Sequence, residues 1–568
     1  MRLKVPGIEL FRHYERSWLP RDLAAGLVLS ALLVPQGMAY AELAGLPPIT
    51  GLYTSIICLA TYAVFGPSRI LVIGPDSAIC PMIAATIIPL VGAHGDPARA
   101  VALASLLSIL VGAILLIGGL ARIGFIADLL SKPTQIGYLT GVALTIMVSQ
   151  LPKLFGFSVH ATTLFGDLKA FFKGLSQGQT VPAALTTGLV ALALLLVLQH
   201  WLPRLPGALL TVVISIAASA LFDLSTHGVV VVGTLPKGLP PLGFPHLAVG
   251  DLPLLTAGAL AIALVGLTDT ISTVTAFSAR QGRRVEPNKE MVAIGLANLS
   301  TGFFQGFAVG ASASRTTVAE RARARTQLTG LVGAAVIILM LVATPWLLKD
   351  LPQATLAALL IAGALYLADL AGMRRLWQLH RAEFAVSLAA FLGVALLGVL
   401  RGVGVAVGLA ILNVFRRSWW PYSTSLGRLT GVPGFHDTRL HPEAQETEGV
   451  ILFRFDAPLF FANARAFRED VLELARSELK PRWIVVAAEP MTDVDTTAVE
   501  MLVTLDEELA SFGVSLLFAE MKRAVRDKVE RYGLTRPISP ARFFPTRKSA
   551  LAAIRRIQEA EGEGLEAP

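Results

Sequence analysis

The chain has 568 residues, of which 54% are hydrophobic and only 15% charged. A water-soluble protein of this size needs more polar surface than that balance supplies, so an ordinary soluble protein is excluded and a membrane protein is indicated. The formal net charge of +8 resides in short stretches between apolar runs, without the contiguous basic stripe and interleaved aromatics of nucleic-acid binding, which argues against a nucleic-acid partner.

Residues 1–21 read as a short charged lead. From residue 22 to about 416 the chain is dominated by stretches such as LAAGLVLSALLV, AVALASLLSILVGAILLIGGLA, AALTTGLVALALLLVLQHWL and LTGLVGAAVIILMLVATPWLL. Each is near the roughly 20 residues needed to span a bilayer, and about fourteen passes are expected between 22 and 417. Ala39-Tyr40-Ala41 has the form of a signal-peptidase site, but the lead is long and Pro35-Gln36-Gly37 interrupts the apolar core, so residues 22–46 are expected to be retained. Cys58 and Cys80 lie in apolar segments and match no metal or redox spacing; they read as buried small hydrophobes.

Two stretches break the pattern: ILVIGPDSAICPMIAATIIPLVG and TGFFQGFAVGASASRTTVAERARA. In each, an extended approach ends in small residues and a polar cluster before a helix resumes. Pro75 forbids an ordinary helix through its neighbours, while Asp76-Ser77 and Ser312-Ala313-Ser314 are good caps, so each stretch is expected to start a half-helix inside the membrane. Half-helix N-termini carry unpaired N–H groups and about half a positive charge, which makes them anion sites. Arg315 adds a full charge. The breaks fall in the third and tenth passes, seven apart, which suggests 7+7 inverted repeats with a substrate site at the midplane.

With the N-terminus inside, the even-numbered passes end in the cytoplasm. There lie Arg280, Arg283, Arg284 and Lys289, then Arg321, Arg323 and Arg325, then Arg374, Arg375 and Arg381, whereas 223–252 carries only Lys237 among the basic residues. The expected location is a multi-pass protein of the cytoplasmic (inner) membrane with both termini inside. After Arg416 and Arg417 the composition changes. Residues 418–448, rich in Pro and Gly, read as a linker. From 449 to 558, β-rich runs (VILFRF, WIVVAAE, VSLLFAE) alternate with charged helical stretches, the pattern of one small cytoplasmic α/β domain. Residues 559–568 read as a disordered tail.

PQGMAYAELAGLPPITGLYTS followed by FGPSRILVIGPDSA, then ARQGRRVEPNKEMVAIGLANLSTGFFQG and SASRTTV, resemble the sulfate permease (SulP) family of anion transporters. The C-terminal region resembles a sulfate-transporter and anti-sigma-factor-antagonist (STAS) domain. The resemblance covers nearly the whole chain. It implies fourteen helical segments in a core and a gate domain, an elevator-like movement of the core, and a homodimer. Carried over by position, it places the anion site at Gln36 and Tyr40, the backbone amides at Asp76 and Ser77, and Ser314 with Arg315. In sodium-coupled bicarbonate members of the family, positions matching Asp269 and Thr273, helped by the one matching Asp76, bind sodium. That last position is a hydroxyl residue there and a carboxylate here, and Ala313 replaces a threonine, so the proton is the expected coupling ion and sodium less so. Helical spacing agrees in part: Gln36 and Tyr40 are i,i+4, as are Asp269 and Thr273.

An ionised carboxylate beside an anion site repels the substrate and a protonated one does not, so Asp76 reads either as a proton carrier or as a helix N-cap. Glu42 is a second ion-coupling candidate, although it lies about 200° around the helix from Tyr40; alternatively it sits in the outer interface. Asp269 reads as a coupling group or as a structural partner of Arg315, and Arg315 as an anion ligand or a topology signal. Gln36 and Tyr40 read as ligands or as packing residues. In MTDVDTTAVEML, Thr496 and Thr497 stand where the resemblance places a regulatory phosphorylation, while Thr497 to Glu500 also fits a capping box. All nine histidines lie in loops, termini or near segment ends, and neither cysteine has a base nearby in sequence, so no catalytic constellation, metal site or cofactor is expected. The reading is a secondary active transporter of a small anion, sulfate foremost, with fumarate-like dicarboxylates and bicarbonate behind, partnered by the bilayer, a second copy and a cytoplasmic protein at the STAS domain. A passive channel and a binding-only sensor are the alternatives.

Overall fold

A computed structural model describes residues 6–562 apart from 93–94, 160–162, 203–205, 246–248, 281, 283 and 535–537. Arg283 and the expected tail from 563 onward lie outside the described residues. The chain forms two compact units that divide after Ala410, within the helix Val399–Trp419.

The first unit runs α1 (Pro6–Arg12), α2 (Leu19–Leu43), α3 (Pro48–Phe65), β1 (Ile73–Gly74), α4 (Cys80–Val91), α5 (Pro97–Leu120), α6 (Lys132–Leu154), α7 (Leu164–Ser176), α8 (Pro182–Trp201), α9 (Gly207–Leu221), α10 (Leu252–Arg280), α11 (Pro287–Phe303), β2 (Gly310–Ala311), α12 (Ala313–Arg321), α13 (Leu328–Ala343), α14 (Gln353–Leu367), α15 (Leu370–Leu379), α16 (Arg381–Leu397) and α17 (Val399–Trp419). Setting aside α1 and the short connecting helices α7 and α15, fourteen segments remain among the described residues, with α4 and α12 as the third and tenth. Among the described residues, seven helical stretches are long and apolar enough to cross a membrane by themselves, and α4, α9 and α13 are shorter apolar helices.

Packing repeats with an offset of seven segments. The first segment, α2, packs on α3 and α13; the eighth, α10, packs on their counterparts α11 and α5. α3 packs on its own counterpart α11, and β1 pairs with its own counterpart β2. This is the relation that a pseudo-two-fold axis in the membrane plane imposes on inverted repeats. These elements form one bundle. A second is built by α6 on α14 and α16, and α14 on α8. Small residues allow the closest approaches, as expected where lipid supplies no hydrophobic drive between helices: a Cβ added at Gly51 of α3 would lie 1.9 Å from the Gly37 carbonyl of α2.

The second unit is a six-stranded sheet in the order β4-β3-β5-β6-β7-β8, from β3 (Ser423–Gly427), β4 (His436–Asp437), β5 (Val450–Phe455), β6 (Trp483–Ala487), β7 (Ser515–Ala519) and β8 (Phe543–Phe544). Strands β5 to β8 are parallel. Their apolar runs are buried on both faces: α18 (Ala464–Ala475), α19 (Thr496–Ser511) and α20 (Arg523–Arg531) cover one, and α21 (Arg547–Gly562) the other. Two sequence expectations change here. The supposed linker 418–448 supplies β3 and β4, because β5 has an open edge that β3 pairs in antiparallel register, Ser425 opposite Phe453, while Gly431 and Gly434 take the positive φ that the connection to β4 requires. And α21 continues through Gly562, so the first residues of the supposed tail are helical.

Candidate functional site

The two broken segments meet. β1 and β2 pair antiparallel, Ile73 opposite Ala311 and Gly74 opposite Gly310, and Ser312 N donates to Val72 O at 3.0 Å. On the second strand's side the half-helix starts as its sequence suggests, with Ser312 Oγ accepting from Arg315 N at 3.4 Å as the N-cap of α12. On the first, α4 begins at Cys80, later than Asp76-Ser77 implied. Asp76 Oδ1 accepts from Ala78 N at 2.9 Å, so the carboxylate stabilises a turn ahead of the helix.

Arg315 is wholly buried. Its guanidinium rests on β1: a Cβ added at Gly74 would lie 2.9 Å from Nη1. Nε, Nη1 and Nη2 have no hydrogen-bond partner among the described residues. A full charge held out of water without a partner is costly, so the fold tolerates it only where another charge balances it. Asp76, itself buried, and Tyr40 lie within its electrostatic reach. This excludes the topology-signal reading of Arg315, since a surface arginine would be hydrated.

Tyr40 is half-buried beside Ser77, and its hydroxyl would sit 3.8 Å from a Cβ at Gly363 of α14. Gln36, one turn earlier on α2, is also half-buried, and Ser314 is exposed, 3.1 Å from Ser312 through their hydroxyls. Asp269 on α10 is half-buried and lies within electrostatic reach of Asp76; it makes no hydrogen bond or ion pair among the described residues, so it does not pair with Arg315. Thr273, one turn on, is buried. Tyr138 of α6, which the sequence did not single out, lies within reach of both Asp76 and Asp269 and brings the second bundle to the site. The structure thus gathers Tyr40, Asp76, Ser77, Asp269 and Arg315. It does not gather Glu42, which pairs with Lys153 in the last turn of α6 at 3.0 Å. Cys58 and Cys80 are free and wholly buried, as their apolar segments imply, and Cys58 Sγ also donates to Ile73 O on β1 at 3.6 Å.

In the second unit, Thr496 and Thr497 are exposed at the start of α19. The cap there is Asp495, whose Oδ1 accepts from Ala498 N at 2.8 Å and whose Oδ2 accepts from Phe461 N at 2.9 Å. The expected Thr497–Glu500 capping box is therefore displaced by two residues, because a carboxylate is already in place to take the free amides. Nearby, the Lys528 ammonium at 2.5 Å donates to Asp493 and holds that carboxyl below its ordinary range.

Residues 19–390 match the sulfate permease family and residues 441–550 the STAS domain. The chain belongs to the sulfate permease family. That family consists of anion transporters, not enzymes. A probable sulfate transporter of Mycobacterium tuberculosis is 40% identical over 552 residues, covering 97% of this chain and 98% of that one. Human solute carrier family 26 member 6 is 36% identical over 485 residues, 81% of this chain and 63% of the relative. Among solved structures, the murine solute carrier 26 family member A9 anion transporter in its inward-facing state superposes with a TM-score of 0.89 at 22% identity, covering 97% of this chain and 94% of that one. The transmembrane domain of a cyanobacterial bicarbonate transporter superposes with a TM-score of 0.61 at 22% identity, over 70% of this chain and 99% of that domain. Both carry the fold: α-helical and polytopic, with inverted repeats.

Proposed function

We propose that this protein is a proton-coupled symporter of a small oxyanion, sulfate foremost, in the cytoplasmic membrane. The observation that carries the reading is the buried Arg315, with no hydrogen-bond partner among the described residues, at the crossing of two broken segments, with two carboxylates, Asp76 and Asp269, in the same electrostatic neighbourhood. The anion lies against Ser314, Arg315 and the amides of the Asp76-Ser77 turn, and Gln36 and Tyr40 close it from α2. With Asp76 ionised, the anion meets a like charge; with Asp76 protonated, Arg315 is left for the anion to neutralise, so proton and anion enter together. Asp269 and Thr273 supply the second part of the coupling site. A carboxylate at Asp76 and an alanine at position 313 disfavour the sodium coupling of the bicarbonate-transporting relatives. The names of the sulfate-transporting relatives put sulfate ahead of dicarboxylates and bicarbonate.

The two bundles provide a core that carries the site and a gate against which it moves in an elevator-like step, within a homodimer. The STAS domain faces the cytoplasm and docks regulatory or partner proteins. The test is uptake of labelled sulfate, fumarate and bicarbonate into proteoliposomes, with and without an inward proton gradient, by the intact protein and by Asp76→Asn. Gradient-driven sulfate uptake that the substitution uncouples is the expected result. Uptake indifferent to both gradient and substitution would reduce Asp76 to a turn-forming residue and leave a facilitator.

A further inference from the structure

The stretch 307–312 that leads into α12 has a strand on one side only. Gly310 faces Gly74 of β1, and Ser312 N bonds Val72 O. Amides alternate in direction along a strand, so those of Phe307, Val309 and Ala311 point away from β1 into the protein, where an unpaired amide at membrane depth is costly. Side chains from three helices meet them. Thr54 Oγ1 of α3 accepts from Phe307 N at 3.1 Å, and Thr270 Oγ1 of α10 from Ala311 N at 3.4 Å. Between them Asn298 of α11, wholly buried, uses both ends of its carboxamide: Oδ1 accepts from Val309 N at 2.9 Å and Nδ2 donates to Val309 O at 3.1 Å.

We propose that Asn298 is a positioning residue for the anion site, standing in for the missing third strand. The two threonines each hold one amide and leave the strand free to rotate about that bond. Asn298 alone holds donor and acceptor of one residue together, which sets both the depth and the rotation of the strand, and Val309 is six residues from Arg315. Asn298 is held in turn: Nδ2 also donates to Ile294 O at 3.0 Å, and its backbone carbonyl accepts from Ser108 Oγ at 2.8 Å. Its carboxamide is therefore a fixed reference inside the core bundle, against which Ser314 and Arg315 are placed. The inference rests on the reading of Ser314 and Arg315 as anion ligands.

The experiment measures the KM and maximal rate of sulfate uptake in proteoliposomes of the full chain, at equal pH on both sides and from acid to alkaline, with each variant divided by the unsubstituted protein at the same pH. Asn298→Asp keeps shape but supplies the donor to Val309 O only when protonated. Its KM ratio is expected near one in acid and raised about tenfold or more in alkali, reversing when the same liposomes are returned to acid. Asn298→Leu is expected to raise KM at every pH. A KM ratio for Asn298→Asp that is flat with pH, or an Asn298→Leu variant with unchanged KM, overturns the proposal; if the leucine variant does not fold, the pH profile of the aspartate variant decides alone. Arg315→Gln runs in parallel. Should it leave KM unchanged, the site reading falls and this inference with it; should it raise KM while Asn298→Asp stays flat, the inference alone falls.

Discussion

Glu42 of α2 and Lys153 of α6 form an ion pair, 3.0 Å from Oε2 to Nζ, that joins the two helix bundles of the membrane unit. Their side chains are 7% and 22% exposed, so breaking the pair from the Glu42 side leaves a partly buried ammonium uncompensated. Glu42→Gln should lower the thermal midpoint by the equivalent of about 1–3 kcal/mol, and Lys153→Met in the same chain should recover most of that loss. Midpoints of the parent, both single variants and the double variant measure the coupling directly. Sulfate uptake by Glu42→Gln should keep its dependence on the proton gradient, in contrast to Asp76→Asn.

Gly74 is where the Arg315 guanidinium makes its closest approach to β1. A methyl group there would stand 2.9 Å from Nη1 and force the charge to move. Since a misplacement of about 1 Å can cost on the order of a hundredfold in a positioned site, Gly74→Ala should reduce sulfate uptake by roughly ten- to a hundredfold while the chain still folds. Gly363→Ala is the control: its Cβ would meet the Tyr40 hydroxyl at 3.8 Å, ordinary contact, and uptake should stay within about twofold.

Tyr14, ahead of the first membrane segment, donates to Asp22 Oδ2 at 3.2 Å. Burial, then the charge and hydrogen bond of Asp22, push its phenol from 10.0 up to about 12. Between those values the folded chain retains a proton that the unfolded chain has lost, so this contribution to stability falls as pH rises through the window. The difference in thermal midpoint between the parent and Tyr14→Phe should shrink from neutral pH toward about pH 11. A difference that grows with pH would contradict the sign.

Asp495 caps α19 and also binds Phe461 N, so Asp495→Ala frees two amides at once. It should destabilise the second unit by about 1–2 kcal/mol, read as faster trypsin cleavage there in the full-length protein. Thr497→Ala, which removes an exposed hydroxyl beside the real cap, should change that rate little, within about 0.5 kcal/mol.

The two broken segments were legible in the sequence, because Gly-Pro and Ser-Ala-Ser in apolar runs contradict the helix that a bilayer otherwise enforces. Asp76 and Arg315 were legible for a related reason: an ionisable group in such a run is expensive and therefore rarely incidental. The pairing of Glu42 was not legible, since its partner Lys153 stands 111 residues away and no local spacing announces it. Asn298 was silent, because an asparagine within a helix ordinarily bonds its own turn, as Nδ2 also does here to Ile294 O. Ser423 to Gly427 looked like a linker because a short, polar strand has almost no pattern of its own until β5 supplies the partner.

Composition and periodicity determined that this chain spans a membrane many times, breaks its third and tenth passes, and ends in an α/β domain. Those properties follow from transfer free energy and backbone hydrogen bonding, which act locally along the chain. Only the tertiary structure decided that β1 and β2 meet, that Arg315 is buried against Gly74 with no hydrogen-bond partner among the described residues, that Glu42 belongs to Lys153 and that Asn298 clamps Val309. Each of these joins residues far apart in sequence, and it is the packing of inverted repeats around a shared axis that selects which buried polar groups satisfy one another.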